Sequence, residues 1–208
     1  MKILLLGAGG HARSCISCLE QCGIEVVGLL DRPDLVGQCV SGHPILGTDE
    51  ELGAYVGSVD GFLVAFGHLG GENSRMDLFH RILSLGGKLP GIITADAFVD
   101  RTARIGEGTI VMHRAFLNAG VSVGANGIIN TGAIVEHDTT LGDNVHVSTG
   151  AILNGGARVG HGSFIGSGAV VRQNTTVGSG VIVGAGAVVV NDLLEPGTYA
   201  GVPARRIK

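Results

Sequence analysis

The second half of the chain places an aliphatic residue at every sixth position, and this feature limits its fold more than any other. Sixteen consecutive positions of this series hold Val, Ile or Leu: Val99, Ile105, Val111, Leu117, Val123, Ile129, Val135, Leu141, Val147, Leu153, Val159, Ile165, Val171, Val177, Val183 and Val189. This period is typical of a hexapeptide-repeat β-helix, in which three hexads make one triangular coil. Residues 99 to 190 then form about five coils, stacked at ~4.8 Å into a prism roughly 25 Å tall.

The coil geometry predicts which residues lie above one another, because positions eighteen apart stack in neighbouring coils. His137 is expected between Ala119 and Gly155. Small neighbours leave its ring open on one side, and Gly155 presents a backbone N–H with no side chain in the way. A second column is predicted to hold His113, Thr131, Thr149, Ser167 and Ala185.

His137 and Asp138 are adjacent in a segment with few other polar side chains. An imidazole can accept a proton near neutral pH, and a neighbouring carboxylate stabilises the imidazolium that results. Such a pair can act as a general base, which typically contributes 10²- to 10⁴-fold to a rate. The alternative is that His137 is a solvated turn residue.

The first part of the chain follows a different pattern. It predicts strands at residues 2–6, 25–30 and 62–66, and helices at about 11–22 and 72–85. Strands that alternate with helices indicate a small, parallel, Rossmann-like α/β sheet. We therefore predict an α/β domain at residues 1–90 and an all-β, parallel β-helix domain at residues 91–208.

A glycine-rich turn, Gly7-Ala-Gly-Gly-His-Ala12, follows the first predicted strand and opens the first helix. With Asp31 about twenty residues later, it fits the fingerprint of dinucleotide-binding proteins. The physical content of the motif is that an anion can bind backbone N–H groups at a helix N-terminus. An NAD-dependent oxidoreductase and a purely structural tight turn therefore both remain open.

Composition excludes some functions. A net charge of −4 and a pI near 6.0 argue against a nucleic-acid partner or a membrane-surface role. No apolar run approaches the ~20 residues of a membrane span, and we expect a cytoplasmic protein whose first residues form a strand. Cys15 and Cys18 have redox-pair spacing, but Ala12, Cys15 and Leu19 form the apolar stripe of a helix. No cysteine follows Cys39, which excludes a thiol nucleophile in the prism, and no metal-ligand cluster is evident.

Three elements of the sequence resemble a known family. They are the motif I-N-T-x-x-x-V-E-H-D at residues 129–138, His146-Val-Ser148, and a C-terminal G-x-P-A-R element. Together they resemble the PglD/NeuD-like bacterial sugar O- and N-acetyltransferases of the bacillosamine and sialic-acid pathways. The resemblance covers essentially the whole chain. It implies a left-handed β-helix closed by the C-terminal element, and a homotrimer with the active site between subunits.

The resemblance also implies roles for individual residues. His137 corresponds to the catalytic base and Asp138 to the acid that tunes it, with the Gly155 N–H as the donor to the oxyanion. The residues that correspond to acetyl-CoA contacts are His146, Ser167 and Ala185. Those that correspond to nucleotide-sugar contacts are Gly9, Gly10, His11, Asp31, Arg32 and Gly67.

We therefore predict an acetyl-CoA-dependent N-acetyltransferase that acts on a nucleotide-linked amino sugar of the UDP-4-amino-4,6-dideoxy type in bacterial glycan biosynthesis. Transfer is expected to be direct, without a covalent enzyme intermediate or a metal. Three alternatives stay open: an O-acetyltransferase of sialic acid or a related nonulosonic acid, the NAD-dependent oxidoreductase, and a non-catalytic β-helix scaffold.

Overall fold

The N-terminal part of the chain is a five-stranded sheet with helices on both faces. The computed structural model describes residues 1–68 and 74–208. The strands are β1 (Lys2–Leu6), β2 (Glu25–Leu30), β3 (Cys39–Val40), β4 (His43–Gly47) and β5 (Gly61–Val64), and the helices are α1 (Gly10–Gln21), α2 (Leu52–Tyr55) and α3 (Ser74–Ser84). Short 3₁₀ turns cover Pro33–Leu35 and Asp49–Glu51. The predicted helix start at residues 72–73 lies outside the described residues.

The strand order is β3-β4-β2-β1-β5, and all neighbours are parallel except β3 and β4. The three predicted strands are neighbours in this sheet, with β1 between β2 and the edge strand β5, which confirms the α/β prediction. The β3–β4 hairpin at the edge was not predicted, because β3 has only two residues and gives no periodic signal.

The apolar residues of β1 alternate between two cores, which explains why the whole strand is hydrophobic. Ile3 and Leu5 pack with α1, whereas Leu4 and Leu6 pack with α3. The α1 core includes Cys15 and Cys18, which are free thiols. Burial raises the pKa of the Cys15 thiol to about 12 and that of Cys18 to about 11. Both cysteines therefore act as core residues rather than as a redox pair.

From residue 92 the chain winds into a parallel β-helix with three sheets. We name one sheet by the α/β domain that covers its outer face, and the other two by the character of their outward side chains. The covered sheet contains Ile92–Ile93, Ile110–Val111, Ile128–Ile129, His146–Val147, Phe164–Ile165, Val181–Val183, Gly197–Ala200 and Arg205–Arg206. The apolar sheet contains Phe98–Val99, Phe116–Leu117, Ile134–Val135, Ile152–Leu153, Val170–Val171 and Val188–Val189. The polar sheet contains Arg104–Ile105, Ser122–Val123, Thr140–Leu141, Arg158–Val159 and Thr176–Val177.

The register confirms the six-residue period. Paired residues in adjacent coils differ by eighteen, as in Ile134 with Ile152. The aliphatic series packs into one continuous core. Several corners place Gly or Asn at positive φ, such as Gly132 at 66° and Asn144 at 54°, a conformation that these residues tolerate best. At the C-terminal end, the last strand folds back antiparallel, and Tyr199 and Ala204 close the core.

The three sheets differ in their outer faces because the first residue of each two-residue strand points outward when the second points into the core. On the covered sheet, Ile110 and Ile128 pack into the α1 core, so the α/β domain lies against this face. The outward residues of the apolar sheet are Phe98, Phe116, Ile134, Ile152, Val170 and Val188, and those of the polar sheet are Arg104, Ser122, Thr140, Arg158 and Thr176.

Three side chains also form a row of hydrogen bonds across the interface between the α/β domain and the β-helix, which we call the seam. Ser17 Oγ lies 3.2 Å from His113 Nε2, and His113 Nδ1 lies 3.1 Å from Asp96 Oδ1. The order resembles a catalytic triad. However, Ser17 lies in the middle of α1, where the helix itself uses the backbone N–H groups that an oxyanion would need. We interpret the row as a structural link.

Candidate active site

His137 and Asp138 occupy the corner between the apolar sheet and the polar sheet. Asp138 has a φ of 59°, and its backbone N–H donates to Ala119 O at 3.0 Å. His137 O accepts from Gly156 N–H at 2.8 Å, so the coils stack at this corner in the predicted register. His137 Nδ1 lies 2.9 Å from Asp138 Oδ2, and the two side chains are 62% and 75% exposed.

The partner of Nδ1 determines what His137 can do. A carboxylate only accepts hydrogen bonds, so Asp138 favours the tautomer in which Nδ1 carries the proton. His137 Nε2 then has a free lone pair on an exposed ring. This is the arrangement that a general base requires.

Gly155 lies directly beneath that ring. A Cβ at position 155 would come within 2.5 Å of His137 Nε2 and 2.6 Å of its Cε1. The Gly155 N–H makes no hydrogen bond within the described chain. A free lone pair and a free N–H therefore lie next to each other at this corner, as acyl transfer through an oxyanion requires.

His146 lies on the covered sheet and not at a corner. It is 6% exposed, with its Nδ1 3.0 Å from His68 O and its Nε2 3.2 Å from Asn130 Nδ2. These partners fix the tautomer, with Nδ1–H donating to the carbonyl and Nε2 accepting from the amide. Burial lowers the pKa of His146 to about 4, so the ring is neutral at physiological pH. The contact of His146 with the α/β domain cannot be predicted from the repeat.

Ser167 and Ala185 share the corner between the covered sheet and the apolar sheet. The Gly186 N–H donates to Ser167 O at 2.9 Å, which stacks these two turns in the predicted column. Ser167 Oγ lies 2.9 Å from Ser148 Oγ. This corner and the His137 corner therefore border the apolar sheet along its two edges.

Two of the six predicted nucleotide-sugar residues, Asp31 and Arg32, line a cleft in the α/β domain. A cavity of about 370 Å³ is lined by Gly7, Asp31, Arg32, Pro33, Thr48, Asp49, Glu50 and Phe66. It lies at the carboxyl ends of β1 and β2, where open α/β sheets bind ligands. Gly9 caps α1 and Gly10 is its first residue, and both have open space where a side chain would be. Backbone N–H groups at this helix start can therefore approach an anion.

The Asp31 carboxylate has a structural role in this cleft. One oxygen accepts from the Ala8 N–H, and the other accepts from the Arg32 N–H at 2.7 Å. The Arg32 guanidinium is exposed, and its Nη2 lies 3.6 Å from Asp34 Oδ2. Burial, followed by the charge of Asp31, raises the pKa of Asp49 above its usual value.

His11 and Gly67 connect the cleft with His146. The ring centroids of His11 and His146 are 6.4 Å apart, and a Cβ on Gly67 would lie 3.6 Å from His146 Cε1. Burial, helped by the charges of Arg75 and His146, lowers the pKa of His11 to about 3. The structure thus brings His11, Gly67 and His146 together at the seam. His137 lies elsewhere, at the corner between the apolar sheet and the polar sheet.

Some residues of the site were not predicted. Thr48, Asp49 and Glu50 line the cleft, and Thr48 with Glu51 forms a capping box, which is a signal that the sequence does contain. Asn130, the partner of His146, belongs to the I-N-T motif. Arg75 is buried in the seam, but the sequence shows it only as one polar residue of an amphipathic helix.

Within residues 1–68 and 74–208, no group of three or more His, Cys, Asp or Glu residues could hold a metal ion. In the same part of the chain, no helix combines the length and hydrophobicity that crossing a membrane requires.

Comparisons with known proteins agree with this architecture. The family model of the PglD N-terminal domain matches residues 2–82, and that of the bacterial transferase hexapeptide matches residues 138–173 and 156–191. A search of curated proteins gave no significant match.

Several solved structures are similar along the full chain. The acetyltransferase domain of PglB from Neisseria gonorrhoeae FA1090 is 38% identical, over 99% of both chains, with a TM-score of 0.92. PerB from Caulobacter crescentus, solved with CoA and GDP-perosamine, is 36% identical, over 100% of this chain and 98% of that one, with a TM-score of 0.93. WeeI from Acinetobacter baumannii AYE, at 22% identity and a TM-score of 0.79 over both full chains, shares the fold.

An α/β domain docked on a hexapeptide β-helix, together with these matches, defines the protein as a hexapeptide-repeat acyltransferase. More narrowly, the chain belongs to the PglD/NeuD-like family of bacterial sugar acetyltransferases.

Proposed function

We propose that this protein transfers the acetyl group of acetyl-CoA to the amino group of a nucleotide-linked amino sugar. The observation that carries the proposal is the His137 corner, where a carboxylate-held imidazole with a free Nε2 lies against the unpaired Gly155 N–H. This pairing supplies both a base and an oxyanion donor.

The proposed reaction is a direct transfer. The amine nitrogen attacks the thioester carbonyl while His137 Nε2 takes a proton from it. The Gly155 N–H holds the oxyanion of the tetrahedral intermediate. Collapse of the intermediate breaks the C–S bond, and the imidazolium returns its proton to the leaving CoA thiolate. Asp138 keeps the ring in the required tautomer throughout.

The α/β cleft supports a nucleotide-sugar as the acceptor. Its open helix start suits the diphosphate, with Gly9, Gly10 and His11 as the proposed contacts. Asp31, Arg32 and Gly67 are proposed to contact the rest of the ligand. PerB binds CoA together with GDP-perosamine, and structures of the same enzyme with a histidine replaced by Asn or Ala also hold both molecules. A UDP-4-amino-4,6-dideoxy sugar remains our proposal for this chain.

The apolar sheet supports a homotrimer. It presents a continuous row of outward apolar side chains, with Phe98 51% exposed and stacked on Phe116 at 4.8 Å between centroids. An apolar face of this length on a folded chain indicates a protein contact. If three copies turn this sheet inward, the His137 corner of one subunit faces the Ser167 and Ala185 corner of the next. We propose that acetyl-CoA binds between these corners, close to His146.

The test is a mass-spectrometric screen. The protein is incubated with acetyl-CoA and, separately, a UDP-linked 4-amino sugar, a GDP-linked 4-amino sugar and free sialic acid. We expect a nucleotide-linked amino sugar to gain the mass of one acetyl group in place of one hydrogen. Acetylation of sialic acid alone would replace the proposal with the O-acetyltransferase alternative. Sedimentation that shows a stable monomer would contradict the trimer.

A further inference from the structure

Arg75, the second residue of α3, is completely buried between the α/β domain and the β-helix. Its Nη1 donates to Val64 O at 2.6 Å and to Phe66 O at 2.7 Å, and its Nε donates to Asn126 O at 3.3 Å. The Asn126 side chain returns a hydrogen bond to Arg75 O at 3.2 Å. One guanidinium therefore ties the end of β5 to a corner of the prism.

Within residues 1–68 and 74–208, the charge of Arg75 has no partner of opposite sign. Among the described residues no carboxylate forms an ion pair with it, and its Nη2 is buried without a hydrogen-bond acceptor. Burial lowers its pKa to about 10, so it stays charged at neutral pH. Burying an unpaired charge opposes folding. Stability alone therefore does not explain an arginine at this position.

Two of the carbonyl groups that Arg75 holds, at the end of β5, lie between the nucleotide cleft and His146. Phe66 lines the nucleotide cleft, and two residues later His68 O accepts from His146 Nδ1. Any shift at the end of β5 therefore changes the cleft and the surroundings of His146 together. The positive charge of Arg75 also contributes, after burial, to keeping His11 and His146 neutral.

We infer that Arg75 is a positioning residue that holds the end of β5 against the prism and so fixes the nucleotide cleft relative to His146. The ligand of the cleft rests on the proposed function, but the geometric role does not. Lysine keeps the charge at this position and loses the planar fork that reaches all three carbonyls, whereas methionine loses both.

The experiment compares Arg75→Lys and Arg75→Met with Arg158→Met, an exposed arginine on the polar sheet that serves as the matched control. Steady-state kinetics use the amino sugar identified in the screen. For Arg75→Lys, KM for the nucleotide-sugar should rise at least tenfold, and KM for acetyl-CoA should rise with it because the surroundings of His146 change together with the cleft, while kcat stays within twofold of the wild type. A purely structural role would lower the active fraction, and hence kcat, without raising either KM.

A second readout does not require activity. Burial is the largest cause of the low pKa of both rings. In ¹⁵N NMR titrations, a loosened contact between the two domains should therefore raise the pH at which the His11 and His146 rings protonate in both Arg75 variants, including Arg75→Lys, which keeps the charge. Unchanged titrations together with unchanged KM values for both substrates would overturn the inference. If the wild type acetylates no nucleotide-linked amino sugar, the proposed function fails, and the titrations still decide the role of Arg75. If Arg75→Met does not fold, the kinetics and the NMR titrations are both measured on Arg75→Lys.

Discussion

Two corners of the same prism place an imidazole beside a carboxylate, and they differ in the direction of one hydrogen bond. His137 Nδ1 lies 2.9 Å from Asp138 Oδ2, and His161 Nδ1 lies 3.3 Å from Asp143 Oδ2. The rings are 62% and 68% exposed, so exposure does not separate them. At the second corner, however, the Asp143 backbone N–H donates to His161 Nδ1 at 3.0 Å.

This difference decides the chemistry. Because His161 Nδ1 accepts a hydrogen bond, its neutral ring carries the proton on Nε2, and the outward atom is a donor. His137 has the opposite tautomer, and its outward Nε2 is an acceptor. Asp143 in turn accepts from the Ala125 N–H at 2.8 Å, so this pair serves the stacking of the coils. Of these two rings, only that of His137 presents the outward lone pair that a general base needs.

The largest expected effect distinguishes the two histidines directly. His137→Ala should lower kcat by at least ~10²-fold, the range for loss of a general base, with little change in thermal stability because the side chain is exposed. His161→Ala, the matched control, should keep kcat within about twofold, as expected for a surface substitution. Equal losses of kcat in both variants would show that the two histidines do not differ in function.

The next prediction uses the glycine beneath each ring. For Gly155→Ala, the three atoms nearest to a new Cβ all belong to the His137 ring, so the ring must move. We expect kcat to fall by roughly 30-fold with the fold intact. For Gly142→Ala, a new Cβ meets His161 N at 2.9 Å and its Cα at 3.1 Å, and backbone cannot easily move.

Gly142→Ala should therefore lose stability rather than activity. We expect its melting temperature to fall by several degrees, while the folded protein retains its specific activity. Thermal scanning and initial rates on the same samples check both results. A fully active Gly155→Ala protein would contradict the close contact between residue 155 and the imidazole.

Substitution of the two carboxylates, Asp138 and Asp143, should change kcat by different but smaller factors. Asp138→Asn replaces an obligate acceptor with an amide that can also donate to Nδ1, which partly reverses the tautomer of His137. We expect kcat to decrease by about tenfold, within the range for general-base catalysis. Asp143→Asn keeps an oxygen for the Ala125 N–H and should leave kcat unchanged. Initial rates at saturating acetyl-CoA measure the ratio, and a decrease in both variants would argue against a tautomer effect at His137.

The predictable parts of this protein are those that repeat. The six-residue period specified the stacking of Ser167 on Ala185 and of His137 on Gly155, because a helical coil turns sequence distance into spatial distance. The parallel sheet also followed from its strands, since β1 is apolar on both faces.

The contacts across the seam could not be predicted in this way, because they join segments with no common period. The burial of His146 beneath His68 spans 78 residues, and the link between Arg75 and Asn126 spans 51. The same limit applies to tautomers. Asp138 is next to His137 in sequence, and the coil repeat stacks Asp143 on His161, but only coordinates show that Asp143 reaches His161 through its backbone N–H.

The smallest predicted effect contrasts the buried His146 with these exposed rings. Its native pKa of about 4 lies below the ~6.5 of an unfolded histidine, so the unfolded chain binds the proton first as pH falls. This residue therefore lowers the free energy of unfolding progressively from about pH 6.5 towards pH 4, by about 1 kcal/mol between pH 6 and pH 5. His11, with a native pKa of about 3, acts in the same direction. Denaturant unfolding of His146→Gln should show a correspondingly weaker dependence on pH over this range than that of the wild type. An unchanged pH dependence in His146→Gln would mean that water reaches this imidazole in the native protein, and would argue against the tight seam that separates it from the open corners.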